Sequence, residues 1–230
     1  MTRLDSDARL VYATLHAGGL ALVPTDVGYG LLAMEEPAVR RIYALKGRPA
    51  SKPCVTVANA AIVDSVAQPI DGATREWLAE VTRLAPLAII TQVAESALLD
   101  SMSPYVRGQG TTAGTIALFY SAGRLVERVA ELALADGRLV LGSSANLSGT
   151  GNNYAFAEVP DVMRDGADLA LDRGPAWYAN EQRLATTILD LTSGRFLRKG
   201  IEYSRIAESW LGRAATAGER SAPRVAGASR

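Results

Sequence analysis

Apolar positions along the chain recur at helical spacing in some segments and as short unbroken runs in others. Leu10, Val11 and Leu15 follow candidate caps at Asp5 and Ser6 and stop at Gly18-Gly19, which predicts an amphipathic helix. Leu20 to Val23 then reads as a buried strand ending at Pro24. A second helix starts at Pro37, carries Val39, Ile42, Tyr43 and Leu45 on one side, and is ended by Gly47 and Pro49. Cys54 to Val57 is a short apolar run, and helices are expected over 59–66 and 73–84. Leu87 to Thr91, Thr115 to Tyr120 and Leu139 to Ser143 read as buried strands, with a helix from Leu125 to Leu134 between the last two. Further strands are expected at Leu169 to Asp172, Thr186 to Asp190 and Arg195 to Arg198. Strands interspersed with helices predict a layered α/β domain rather than a bundle or a sandwich.

Two segments break this pattern, and no internal repeat is visible. Residues 101–114 combine Ser, Pro, Gly and Thr and read as a long loop near whatever site the domain carries. From 211 to 230 there are four Arg against one Glu, a net of +3, with too little apolar area to offset the entropy of ordering. The expected organisation is one domain over 1–210 and a disordered basic tail over 211–230.

Composition narrows the function classes. At 230 residues, 48% hydrophobic and 21% charged, the chain can bury a substantial core, which excludes a disordered protein. Its 24 cations balance 24 anions, so a broad positive surface for duplex nucleic acid is not favoured, although a local basic cleft is allowed. A single cysteine, Cys54, excludes an internal disulfide framework and a multi-cysteine zinc site. The first residues have no signal-peptide core, and no stretch reaches the ~18 apolar residues of a membrane span. A soluble cytoplasmic protein with no membrane partner is expected.

Two distant segments carry candidate chemistry. In Leu45-Lys46-Gly47-Arg48-Pro49-Ala50-Ser51-Lys52-Pro53, three cations fall within seven positions, which suits a polyanion. The same residues would also suit a solvated helix end, where cations oppose the macrodipole. Gly142-Ser143-Ser144-Ala145-Asn146-Leu147-Ser148-Gly149 follows a strand and would set small donors at the carboxyl edge of a sheet. Capping of the local backbone is its other reading. Neither segment is a Gly-Lys-Ser/Thr phosphate loop or a Rossmann fingerprint. His16, the only histidine, lies in the first helix and reads as a surface or packing residue, and Cys54 reads as core. No cluster has metal-ligand spacing, so a Mg²⁺ ion would arrive with a nucleotide.

With these segments in view, the chain resembles the YrdC-like threonylcarbamoyl-adenylate synthases over roughly residues 8–205. Pro24-Thr25-Asp26 with Tyr29-Gly30-Leu31 is similar to that family's Pro-Thr-Asp-Thr-x-Tyr-Gly-Leu, and Lys46-x-Arg48 with Lys52-Pro53 to its basic motif. Ser144-Ala145-Asn146-Leu147-Ser148-Gly149 matches Ser-Ala-Asn-x-Ser-Gly, Thr186-Thr187-Ile188-Leu189-Asp190 is similar to Ser-Thr-Val-Val-Asp, and Leu197-Arg198-x-Gly200 matches the closing Leu-Arg-x-Gly. The resemblance implies a single domain with a twisted mixed sheet flanked by helices around a positively charged cavity. It also implies an enzyme that joins L-threonine, bicarbonate and ATP into threonylcarbamoyl-AMP and pyrophosphate for a tRNA modification, with tRNA-modification proteins as possible partners. On that resemblance Lys46 and Arg48 are catalytic, and Lys46, Arg48, Lys52, Ser144, Asn146 and Arg198 hold the phosphates and ATP. Thr25, Tyr29 and Thr187 shape the amino-acid and adenylate pocket.

The chain also departs from the pattern. Val27 replaces the second Thr of the first motif, Leu84-Ala85-Pro86-Leu87-Ala88 stands for Trp-Pro-Gly-Pro-Leu-Thr, and Phe119 falls where a Val-Arg-x-Pro strand carries its Arg. An Arg to Phe exchange removes a planar charged fork that no apolar ring replaces. A paralogue that makes a carbamoyl-type adenylate from another amine therefore stays open beside the threonine enzyme. So does a non-catalytic RNA-binding protein of the same fold, against which the zero net charge and 6% aromatic content count.

Overall fold

The computed structural model describes residues 2–49 and 51–221. Its first helix, α1 (Arg3–His16), buries Ala8, Val11 and Leu15 at helical spacing. Thr2 caps this helix rather than Asp5 or Ser6: the Thr2 side chain accepts from Asp5 N, and Asp5 closes a capping box. After the Gly18-Gly19 stop the chain forms β1 (Ala21–Thr25) and turns directly into β2 (Gly28–Ala33), its antiparallel neighbour. The apolar pattern misses β2 because glycine supplies two of its first three positions. Helix α2 (Glu36–Lys46) starts with Pro at its first turn and ends at Gly47, whose φ of 55° is the left-handed conformation that only glycine adopts without strain.

The following elements fall close to their predicted positions: β3 (Val55–Ala58), α3 (Ala60–Val66), α4 (Gly72–Val81) and β4 (Leu87–Gln92). Residues 101–114 do not form the expected long loop. After the single turn α5 (Ala97–Asp100), Ser103 caps α6 (Pro104–Gly110), with Pro104 at the favoured first helical position, and β5 (Thr111–Thr112) follows. Then come β6 (Thr115–Tyr120), α7 (Arg124–Ala135), β7 (Leu141–Ser144), the short α8 (Asp161–Asp165) and β8 (Leu169–Ala170). The chain ends in β9 (Thr187–Asp190), β10 (Arg195–Arg198) and α9 (Tyr203–Ser221). Thus α9 continues past residue 211, where the sequence predicts a tail, and 222–230 lies outside the described residues.

Ten strands form one mixed sheet in the order β10-β9-β4-β6-β3-β7-β2-β1-β8, with β5 pairing β6 at the side. Register assigns each residue to a face, because directly paired residues point the same way. One face carries Gly30 opposite Ser144, Leu32 opposite Gly142, and Gly142 opposite Val55. Two positions on from Val55, Val57 pairs with Phe119, Phe119 with Ala88, Ala88 with Ile188, and Ile188 with Arg198. The opposite face carries Leu31, Leu141, Leu118, Ile89 and Leu189, all fully buried against the helices. Each such side chain contributes about 1.5–3 kcal/mol through burial. Helices α1 and α7 also pack on part of the first face, against Ala21, Val23, Leu32 and Val57, and α7 lends Val126 to the cavity; the rest of that face keeps the open stretch that becomes the site.

Candidate functional site

The open stretch of the first face forms a cavity of about 260 Å³. Its lining reaches from Thr25, Gly28 and Gly30 on β1, β2 and their turn, across the sheet, to Thr186, Ile188 and Arg198 on β9 and β10. Arg48, just past the end of α2, enters from the rim beside Ser143 and Ser144. Among the described residues, the two arginines are the only charged ones in the lining, and no carboxylate accompanies them.

The rim holds both guanidiniums in place through backbone carbonyls. Arg48 donates from Nε to Lys52 O (3.1 Å), from Nη2 to Pro53 O (2.6 Å) and from Nη1 to Ser143 Oγ (3.4 Å). Arg198 donates from Nε to Thr186 O (2.6 Å), and among the described residues its terminal nitrogens meet no acceptor. Burial, together with the Arg48 charge, pulls the Arg198 guanidinium below its ordinary range, while the cavity still leaves it open to water. Two like charges facing one space with no counter-charge favour an anionic ligand.

The structure divides the nine residues expected from the sequence into two groups. Thr25, Tyr29, Arg48, Ser144 and Arg198 line the cavity. Thr25 Oγ1 donates to Gly28 O (2.6 Å) and so shapes the β1–β2 turn. Tyr29 reaches the cavity through its main chain only: strand alternation turns its ring to the opposite face, where the phenol donates to Gly174 O (2.8 Å) and burial pushes its pKa up to about 12.

Lys46, Lys52, Asn146 and Thr187 are absent from the lining. Lys46 is only 2% exposed, and its ammonium donates to Ser144 O, to Asn146 O (2.7 Å) and to Asn146 Oδ1 (3.3 Å). It therefore clamps the loop after β7 to the end of α2, and burial plus the Arg48 charge lowers its pKa to about 8. Lys52 points its side chain to solvent, while its carbonyl holds Arg48. Thr187 lies on the far face beside Leu87, donating from Oγ1 to Ile201 O (2.8 Å) and accepting from Gly200 N (3.0 Å). Gly200 permits this closeness, since a Cβ there would lie 2.0 Å from Ala185 O. The Thr187–Gly200 tie fixes the chain two residues after Arg198 and so aims that arginine.

Three lining polar residues were not singled out from the sequence: Ser143, Asn152 and Thr186. Thr186 was one step away, because alternation exchanges it for Thr187. Asn152 Nδ2 donates to Val27 O (2.7 Å) and Asn153 Nδ2 to Ala145 O (2.7 Å), so this buried pair ties the β1–β2 turn to the loop after β7. Arg183 braces both, donating to Asn152 O (3.0 Å) and Asn153 Oδ1 (3.3 Å). Only their polar loop context was visible beforehand. His16 is exposed, and Cys54 is buried with its thiol pKa raised by burial. Among the described residues, no group of three or more His, Cys, Asp or Glu could hold a metal ion, and no helix is long and apolar enough to cross a membrane.

Comparison with known proteins decides the family. The sequence model of the family described as "Telomere recombination" (Sua5, YciO, YrdC) matches residues 13–200. The chain belongs to the Sua5/YciO/YrdC family. It is 30% identical over 196 residues to the threonylcarbamoyl-AMP synthase of Mus musculus, covering 82% of this chain and 64% of that protein. The Sua5 protein of P. abyssi complexed with L-threonine superposes with a TM-score of 0.68 at 25% identity, over 85% of this chain and 54% of that one. YciO of E. coli shares the fold, with a TM-score of 0.64 at 18% identity, over 85% of this chain and 90% of that one. The chain thus spans less than two thirds of the mouse relative and about half of the P. abyssi Sua5. The chain forms a single α/β domain of the fold that YciO shares, and the family includes a protein named threonylcarbamoyl-AMP synthase.

Proposed function

We propose that this protein joins an amine, bicarbonate and ATP into a carbamoyl-type adenylate, as the threonylcarbamoyl-AMP synthase it is similar to does with threonine. The observation that carries the reading is the pair Arg48 and Arg198, which face one cavity with no carboxylate among its described lining residues. A nucleoside triphosphate is the ligand that answers two unbalanced guanidiniums beside small hydroxyl donors.

The amine and bicarbonate give a carbamate and water. A carbamate oxygen then bonds to the α-phosphorus as the bridge to the β-phosphate breaks, and that electron pair leaves with pyrophosphate. The chain positions the reactants and neutralises charge moving onto the leaving group. Arg48 is held by two carbonyls and Ser143, so its orientation is fixed before the nucleotide arrives. Arg198 keeps two terminal nitrogens for the phosphates. Ser144 Oγ has no partner among the described residues and can contact the nucleotide from β7. Lys46 acts through Ser144 and Asn146, as a positioning residue rather than a catalytic one. Mg²⁺ would arrive with the nucleotide, since the described residues offer no carboxylate cluster to hold it.

The test is bicarbonate-dependent release of pyrophosphate from ATP in the presence of an amino-acid panel, with the adenylate identified by mass. Release that needs both bicarbonate and an amine supports the reading. ATP that fails to bind, with salt-sensitive RNA binding instead, contradicts it.

A further inference from the structure

The floor of the cavity differs from its rim. The three central strands β3, β6 and β4 supply Val55, Val57, Ala117, Phe119, Ala88 and Ile90 to the lining. None of these side chains can donate or accept a hydrogen bond. Their main chains offer little more, because each of these strands is paired on both sides and its amides serve the ladders. Phe119 stands at the centre, in register with Val57 on one side and Ala88 on the other. Ile188 extends the strip beside Ala88, and Val27 adds a further apolar group from the β1–β2 turn. Hydroxyl, amide and charged groups lie at the two ends: Thr25, Asn152, Ser144 and Arg48 at one, Thr186 and Arg198 at the other.

A substrate whose anionic part is held by the two arginines must rest its remaining part on this strip. A hydroxyl placed there leaves water and meets no partner, whereas a methyl group loses nothing. Resting on the reading above, we infer that the amine substrate is an amino acid with an apolar side chain, selected by Phe119, Ala88 and Val57, and that threonine is disfavoured.

Valine and threonine separate the possibilities cleanly, because they differ only by a methyl group in place of a hydroxyl. With MgATP and bicarbonate, valine should exceed threonine in kcat/KM by roughly 10- to 100-fold, the range an apolar pocket achieves against a hydroxyl isostere. Leucine and phenylalanine test how much bulk the strip accepts. Ala88→Ser places a hydroxyl beside Phe119 without removing volume and should narrow the valine-to-threonine ratio several-fold. Threonine used as well as valine or better, or a ratio unmoved by Ala88→Ser, overturns the inference. Calorimetric titration of valine and threonine in the presence of a non-hydrolysable ATP analogue gives the same comparison without turnover; equal affinities, or no binding of either, also overturn it. Binding of the analogue itself is read in the same experiment. Its success alongside a threonine preference sinks only the side-chain inference, whereas its failure sinks the nucleotide reading.

Discussion

The rim and the floor of the cavity come from neighbouring strands but offer a ligand opposite things. At the rim, Arg48 is held by two backbone carbonyls and Ser143 Oγ, and Arg198 is held through Nε by a backbone carbonyl, its terminal nitrogens without an acceptor among the described residues. On the floor, Phe119, Ala88 and Val57 present carbon alone, above ladders whose amides are already used. A second contrast sits inside the basic turn. Lys46 and Arg48 are two residues apart, yet one is spent on three loop oxygens and the other faces the cavity. Charge in a motif therefore says little about its target until the local geometry shows which acceptors it already has. On the proposed reading, holding the anion and choosing the side chain are separable tasks, performed by different residues.

The sharpest way to break the Lys46–Arg48 contrast is Lys46→Ala. It removes the ammonium from Ser144 O and the two Asn146 oxygens and leaves buried acceptors unpaired, at a cost of about 3 kcal/mol. For a chain of this size that is a fall of about 6–12 °C in Tm, measurable by calorimetry. An unchanged Tm would mean that Lys46 is free to meet phosphate. Next in size is Asn153→Ala, which strips the donor from Ala145 O and loosens the loop behind Ser144. The expected loss is about 2 kcal/mol, seen as a lower urea midpoint with an unchanged m-value. If the midpoint holds, the Asn152–Asn153 pair does not brace the rim.

A smaller effect is carried by pH. Folded Lys46 releases its proton near pH 8, against an ordinary value of 10.5, so between these limits the unfolded chain binds more protons. Stability from this group therefore rises with pH from about 8 towards 10.5, and at pH 7 its burial penalty is felt in full. The measurement is the stability difference between the wild type and Lys46→Gln across that window, which cancels other titrating groups such as Cys54. A difference that stays flat, or that moves against the wild type, contradicts the placement of Lys46.

Much of the fold was legible because burial leaves a periodic trace. Helices α1, α2, α3 and α7 and strands β4, β6, β9 and β10 lie within a few residues of their expected positions. Strand β2 was not legible, since Gly28 and Gly30 stand on its cavity face where the pattern needs apolar side chains. The order Ser103-Pro104 was a helix start hidden in a segment that composition labelled a loop. For the candidate site, the motifs fall on elements that border the cavity, but strand alternation decides which residue of each looks inward. It admits Thr186 and Ile188 but turns Thr187 away, and it leaves Tyr29 with only its main chain at the cavity. The burial of Lys46 had no sequence signal, because its acceptors lie about a hundred residues further along the chain.

The central claim is that Arg48 and Arg198 together hold the nucleotide phosphates. Isothermal titration of ATP into the wild type, Arg48→Ala and Arg198→Ala tests it most directly. Each substitution removes a charged donor worth about 2 kcal/mol, so each should weaken ATP by roughly 30-fold with the fold intact by circular dichroism. Affinities within twofold of the wild type for both variants would contradict the account.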